Sequence, residues 1–417
     1  MKVAITTTEQ AVLNQIDLSV PQMIATLKQW SNINSGSMNI GGLDRQRAEI
    51  MTAFAELGGQ IDEVALPATQ AVNAAGETYK IEHAASVRLV QRPDAPTQIL
   101  LTGHYDTVFP ENSTFQQVSD MGDGRINGPG VADMKGGLLV MRQALLALET
   151  SPLRKNIGYT VLINPDEEIG STGSASLLKH HAQNADLGMT YEPALADGSL
   201  SGARKGSGNF SIVIRGRSAH AGREHHLGRN AIVAGAELIV NLSGLTGARD
   251  GLTVNVAKLE GGGANNVVPD LAVVRFNVRL AEPDDMLWFE GQICGMVQDM
   301  DAIEGFSAKL HGGFTRPPKP MAPPNAALFA MTRAAGDALG LDIRWKATGG
   351  VCEGNNLWAA GCPNVDTLGV CGGEIHSDRE FMVLSSLAER ARLSALMLFK
   401  FASGDFDAKS LRMMKEG

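Results

Sequence analysis

Cysteine is scarce: Cys294, Cys352, Cys362 and Cys371 are the only four in 417 residues. They form no C-x-x-C pair, and the last three, ten and nine residues apart, match no zinc-finger pattern. A disulfide framework is therefore not expected, and all four are read as reduced thiols of a cytoplasmic protein. Basic residues are outnumbered, 36 Lys and Arg against 45 Asp and Glu, for a formal net charge of −9. That balance excludes sequence-independent nucleic-acid binding, which needs a basic surface. No stretch approaches the ~18 uninterrupted apolar residues of a membrane span, so no membrane partner is expected. The segment from Met1 to Val20 is not read as a secretory leader, because Thr6 to Gln10 interrupts any apolar region. Charged residues make up only 19% against 44% hydrophobic, too few for a disordered chain. Aromatics are sparse at 5%, while 47 glycines point to many tight loops. At roughly 150 residues per domain the length suggests two or three domains.

The first third alternates helical and extended patterns. Apolar spacing predicts helices over Pro21–Trp30, Asp44–Leu57, Met134–Leu148 and Ser174–His181. Strands are predicted over Ile81–Val90, Gln98–Thr102 and Ile157–Ile163. This order predicts an α/β layered domain with a largely parallel sheet. Gly202–Gly208 reads as a hinge. Beyond it, strands at Phe210–Ile214, Leu252–Leu259, Val267–Leu280 and Ser307–Leu310 and helices at Asn230–Leu242 and Pro283–Met300 suit a small α+β, ferredoxin-like domain. Five prolines within Thr315–Pro324 predict an extended return linker. The simplest arrangement inserts residues 206–314 into a domain made of 1–205 and 315–417.

Acids and histidines gather where strands end. His104 and Asp106 follow an apolar strand in GHYDT, and Asp133 lies in GPGVADMKGG just before a helix. Glu167 and Glu168 close another strand in NPDEEIGS, Glu192 follows a further one in MTYEPA, and His376 lies downstream in CGGEIHSD. In a parallel sheet the carboxyl ends of strands share one edge, so five segments would meet there. Crowded carboxylates must be protonated, paired or metal-bound. Mixed imidazole and carboxylate donors without thiolate suit Zn2+ in a catalytic site, with Co2+ or Mn2+ as substitutes.

The motifs GHYDTV, GPGVADMKGG, DEEIGS, YEP, GRSAHAG, NVVP and GGEIHS, in this order, resemble those of the co-catalytic dizinc exopeptidase and amidohydrolase family. Glutamate carboxypeptidases of the carboxypeptidase G type, acetylornithine deacetylases and succinyl-diaminopimelate desuccinylases belong to it. The resemblance implies a zinc-exopeptidase-like catalytic domain with an inserted lid and dimerisation domain, holding two divalent ions. Asp133 would bridge the ions, His104 and Glu192 would complete one site, and Glu168 and His376 the other. Glu167 would be the general base, and Asp106 would fix the tautomer of His104. His220, in GRSAHAG, would reach the active site of the partner in a homodimer and stabilise an oxyanion. Asn266 and Arg279, and less directly Arg316, would hold the carboxylate of a small-molecule substrate.

The implied activity is hydrolysis of the amide bond of an N-acyl or C-terminal amino acid. GHYDTVFP and LGRNAIV most resemble the carboxypeptidase G branch, which favours a glutamate-type leaving group. The alternatives are a small-metabolite deacylase of the acetylornithine deacetylase or desuccinylase type and a non-catalytic binding relative. His180-His181 and His225-His226 are expected to be solvated, and Asn265–Pro269 and Arg279 also read as ordinary loop and strand residues. Cys352-Glu353 stands where many relatives have Ser-Asp or Thr-Asp, a departure in a loop expected to line the substrate pocket.

Overall fold

The computed structural model describes residues 3–416; Met1 and Lys2, at the start of the segment read for a leader, and Gly417 lie outside them. In chain order the described α-helices are α1 (Thr7–Ser31), α2 (Ile40–Ala55), α3 (Lys135–Thr150), α4 (Ala175–Gln183), α5 (Ala231–Ser243), α6 (Asp284–Asp301), α7 (Pro323–Ala338), α8 (Glu353–Ala359), α9 (Ser386–Ser403) and α10 (Ala408–Glu416). The strands that carry the argument are β1 (Gln60–Val64), β2 (Ser86–Gln91), β3 (Thr97–His104), β4 (Ile157–Asn164) and β5 (Leu187–Thr190), then β6 (Gly206–Arg215), β7 (Thr253–Gly261), β8 (Leu271–Leu280), β9 (Ser307–Arg316) and β10 (Asn364–Val365). No described helix is long and apolar enough to cross a membrane.

Six strands form the central sheet in the order β1-β2-β4-β3-β5-β10. The β3–β4, β3–β5 and β5–β10 pairings are parallel, while β1 and β2 extend the sheet antiparallel. Alternate residues of the central strands serve opposite layers. Leu101, Val161 and Ile163 join Leu138, Leu145 and Leu396 in the main core, whereas Leu100 and Leu162 meet Leu178 and Leu357 on the other face. Burial on both faces explains why these strands read as continuous apolar runs. Helix α1 starts well before Pro21, because Thr6 and Glu9 form a reciprocal capping box and Leu13 and Ile16 extend the buried stripe.

The strands β7-β8-β6-β9 make a separate four-stranded antiparallel sheet. Its own core, with Phe210, Ile212, Phe276 and Phe289, is completed by α5 and α6. Three sequence expectations need correction. Residues 81–90 are not one strand: Thr78–Ile81 pairs with Thr69–Val72 in a hairpin, and β2 starts at Ser86. The hairpin leaves the central sheet because Val72 packs on Val213 and Val273 of the second one. Gly202–Gly208 is not a free hinge but the end of one strand, Leu200–Arg204, and the start of β6, with Lys205 between them. The return segment is extended only through Ala322, since Thr315 and Arg316 finish β9 and Pro323 opens α7.

One close approach sets the site. A Cβ on Gly137, in the first turn of α3, would lie 2.0 Å from the Tyr191 carbonyl oxygen. Only glycine lets the helix settle on the chain after β5, which brings the loop with Asp133 beside Glu192. Gly137→Ala should lower stability by about 1–3 kcal/mol through overpacking, read from urea denaturation. A loss under about 0.5 kcal/mol, the range of an ordinary surface substitution, would contradict this role.

Candidate metal centre and active site

Each acid or imidazole of the cluster leaves the end of a secondary element. His104 ends β3, Glu167 and Glu168 follow β4, Glu192 follows β5, and Asp133 precedes α3. Asp133 divides its carboxylate between two imidazoles: Oδ1 lies 3.1 Å from Nε2 of His104, and Oδ2 lies 3.3 Å from Nε2 of His376. Glu192 approaches the same nitrogen of His104 at 3.7 Å, and Glu168 that of His376 at 3.2 Å. His376 holds its position with φ 64°, a left-handed conformation unusual for a residue with a side chain. Ligand atoms of His104, Glu167 and Glu192, and of His104, Asp133 and Glu168, lie within 4.8 Å of one another.

Asp106 ties the segments together. Nδ1 of His104 lies 3.0 Å from the Asp106 carbonyl oxygen and 3.2 Å from its carboxylate. The same buried carboxylate accepts from the backbone N–H groups of Glu167 and Glu168 and from the Ser37 hydroxyl. Buried Glu380 does the matching work on the other side, accepting from the N–H groups of Gly130, Ala132 and Asp133. Sequence reasoning missed Glu380, although an acid four residues past His376 was a signal.

The electrostatics are those of a site that wants cations. Burial pushes the Glu192 carboxyl up to about 7, against the pull of His104. Burial and then the Asp133 charge raise Glu168 well above the carboxylate range. Burial also works against ionised Asp133, yet hydrogen bonds from the two imidazoles hold it low. Burial likewise disfavours a charged His104, but Glu192, Asp106 and Asp133 together raise it well above its ordinary value. Hydrogen bonds to Asp133 and Glu168 lift His376 to about 11. The carboxylates thus favour positive charge on the two imidazoles, the compensation that divalent ions would supply in their place. Oε1 of Glu192 is buried with no protein partner, a lone acceptor that a cation would satisfy. The donor set fits two such ions.

The cluster opens into a cavity of about 410 Å3 whose walls include Arg204, Arg279, Arg316 and Cys352. Arg316 is not an open anion contact. The two terminal nitrogens of its buried guanidinium donate to Glu167 at 2.8 Å, Ser171 at 2.8 Å and Asn356 at 2.6 Å. Arg204, inside the stretch read as a hinge, was missed. It grips Asp366 through two hydrogen bonds, and Lys319 donates to the same carboxylate. Burial opposes the charge on Asp366, but these two cations bring it down to about 2. A charged residue on the buried side of a strand, as the pattern of Leu200–Arg204 has it, was the available signal.

Of Cys352-Glu353 only Cys352 faces the cavity. Glu353 turns inward to accept from Asn164 and Ser171, and burial pushes it up to about 8. Burial raises the Cys352 thiol too, which makes it a poor nucleophile. Among the described residues no cysteines are bonded to each other. His220 and Asn266 are exposed and do not line the cavity. They sit side by side, with the Ala221 N–H donating to the Asn266 carbonyl and a bridge from His220 to Val267. His225 and His226 are exposed as expected, whereas His181 is half-buried and burial lowers it to about 4.

An imidazole must give up its proton to bind a cation, so loading this site releases protons. Zinc affinity should rise with pH through about 7, where Glu192 titrates. Calorimetry in buffers of different protonation enthalpy should show more than one proton released as the site fills. An affinity independent of pH over that range would contradict the proton-filled site.

The chain is 28% identical over 312 residues to carboxypeptidase G2 of Pseudomonas sp. (strain RS-16), covering 73% of this chain and 74% of the relative. It is 26% identical over 320 residues to a succinyl-diaminopimelate desuccinylase of Nitrosospira multiformis, covering 72% and 82%. Its fold matches that of a dinuclear metal binding peptidase of the M20 family from Bacillus subtilis, with a TM-score of 0.63 at 15% identity over 92% of this chain and 98% of the other. The model of peptidase family M20/M25/M40 matches residues 100–400. The chain belongs to that family.

Proposed function

We propose that the protein is a dimetal hydrolase that cleaves the amide bond of an N-acyl amino acid or a C-terminal amino acid, with a glutamate-type leaving group favoured. The observation that carries this reading is the divided carboxylate of Asp133, one oxygen toward each imidazole. His104 and Glu192 would hold one ion, His376 and Glu168 the other, with Asp133 shared. Zn2+ suits this donor set, and Co2+ or Mn2+ would also fit. Bound there, two divalent ions supply a water of lowered pKa and polarise the scissile carbonyl.

The chain's own residues do the rest. Glu167 lies beside the ligand atoms of His104 and Glu192, with Oε1 held by Arg316. Its other carboxylate oxygen takes the proton from the attacking water and passes it to the leaving nitrogen. Arg316 is thus assigned to orient Glu167, and Arg279, with Arg204, to bind the substrate carboxylate. Residues 206–314 serve as a lid and dimerisation domain. His220 and Asn266, away from the cavity of their own chain, act on the partner's site in a homodimer, where His220 stabilises the oxyanion. A cytoplasmic location fits the unpaired thiols. The likeness to a desuccinylase keeps a small-metabolite deacylase as the second reading.

Glu167→Gln should bind two ions normally and lose about a hundred- to ten-thousand-fold in kcat, measured on a panel of N-acyl amino acids with and without chelator. Near-normal turnover would overturn the mechanism. Mixing that variant with His220→Ala should regain about a quarter of wild-type activity, since half of randomly paired dimers would carry one intact site. No recovery on mixing would assign His220 to its own chain.

A further inference from the structure

The loop that carries Glu167 and Glu168 begins at Asn164, the last residue of β4, and closes at Ser171, which sits in the left-handed region at φ 50°. A single buried oxygen reaches both ends of this loop. Oε1 of Glu353, the first residue of α8, accepts from Nδ2 of Asn164 at 2.5 Å and from the Ser171 hydroxyl at 3.4 Å. Glu353, Asn164 and Ser171 are fully buried, so bulk water does not compete for these bonds.

A serine hydroxyl has one proton to give. Because that of Ser171 donates to Glu353, its oxygen is turned toward Nη2 of Arg316, which donates to it at 2.8 Å. The same nitrogen donates to the Glu167 carboxylate at 2.8 Å and to the Glu167 carbonyl oxygen at 3.3 Å. The other terminal nitrogen of Arg316 donates to Asn356, one turn along α8 from Glu353. Helix α8 is itself fastened to the two segments that join the sheets, since Asn355 donates to the carbonyl oxygens of Lys205 and Pro317. A line of buried contacts thus runs from Glu353 through Ser171 and Arg316 to Glu167. None of these residues is assigned as a metal ligand, and the backbone of Glu168 is held separately by Asp106.

We propose that Glu353 is a positioning residue for the general base: by fixing the Ser171 hydroxyl it holds Arg316 against one oxygen of Glu167 and leaves the other free for proton transfer. This inference rests on the hydrolase reading above. Loss of the Glu353 carboxylate frees the Ser171 proton and the left-handed turn, and displacing a reacting group by about 1 Å can cost a hundredfold in rate.

The test measures rates and bound zinc for the zinc-loaded enzyme on the panel of N-acyl amino acids. Glu353→Ala should lower kcat by about ten- to a hundredfold, with KM within about twofold of wild type and zinc content unchanged. Glu353→Gln keeps an oxygen for Asn164 and Ser171 and should restore kcat to within about threefold of wild type, since an amide oxygen accepts as a carboxylate does. Ser171→Gly suits φ 50° but lacks the hydroxyl. It should show the same loss as Glu353→Ala, and it decides the question if Glu353→Ala binds less zinc. In the Glu167→Gln background, Glu353→Ala should change the residual kcat by less than about twofold, because the two residues act as one unit. An equal loss in both backgrounds, Glu353→Gln as slow as Glu353→Ala, or wild-type turnover in Ser171→Gly would each overturn the inference and leave the hydrolase standing. Failure of the zinc-loaded wild type to cleave any member of the panel would overturn the hydrolase reading and this inference with it.

Discussion

Carboxylates drawn together at one sheet edge repel, and the rest of this structure is arranged around that repulsion. Asp133, Glu168 and Glu192 are nearly dry and close enough to share two imidazoles. Such a group needs compensating positive charge, which the two imidazoles or divalent ions can supply. The surrounding cations are placed so that they do not collapse into the cluster. Arg204 and Lys319 are occupied by Asp366, and Arg316 is spread over Glu167, Ser171 and Asn356. These buried ion pairs hold the wall of the cavity beside the ligand atoms.

Two carboxylates that are not themselves assigned as ligands keep the cluster in register. Asp106 binds the imidazole of His104 and the backbone where Glu167 and Glu168 turn, so one acid sets the spacing between strands β3 and β4. Glu380 binds three successive parts of the loop that carries Asp133 and thereby joins it to the segment of His376. Each accepts backbone N–H groups and so rigidifies a loop that would otherwise have unpaired donors.

Much of this was legible in the sequence. The continuous apolar runs of β3 and β4 gave parallel strands, and the acids directly after them marked the edge where they would meet. The motifs pointed to the acids and imidazoles that the fold brings together. What was not legible has a common physical cause, contact between residues far apart in the chain. Arg204 is explained only by Asp366, Glu353 only by Asn164, and Gly137 only by the Tyr191 carbonyl. Local composition misled where tertiary pairing overrode it: the glycines of Gly202–Gly208 look flexible, yet Gly206 is pressed against the Arg316 carbonyl and Pro318. Arg316 likewise read as an anion contact at the start of the return linker, and only its burial among Glu167, Ser171 and Asn356 shows that both terminal nitrogens of its guanidinium are engaged.

The chain crosses between the two sheets twice, and the crossings are fastened to each other. Arg204 and Lys319 exchange backbone hydrogen bonds of 2.8 and 3.0 Å, and their side chains share Asp366. What lies beyond this clasp is Lys205 on one strand and Pro317-Pro318 on the other, and proline has little torsional freedom. Two ropes tied at the same point make a single pivot. Arg279 belongs to the four-stranded antiparallel sheet and Arg204 to the short pairing of Leu200–Arg204 with Trp345–Thr348, so the width of the gap between these two guanidinium groups measures how far apart the two parts of the chain stand.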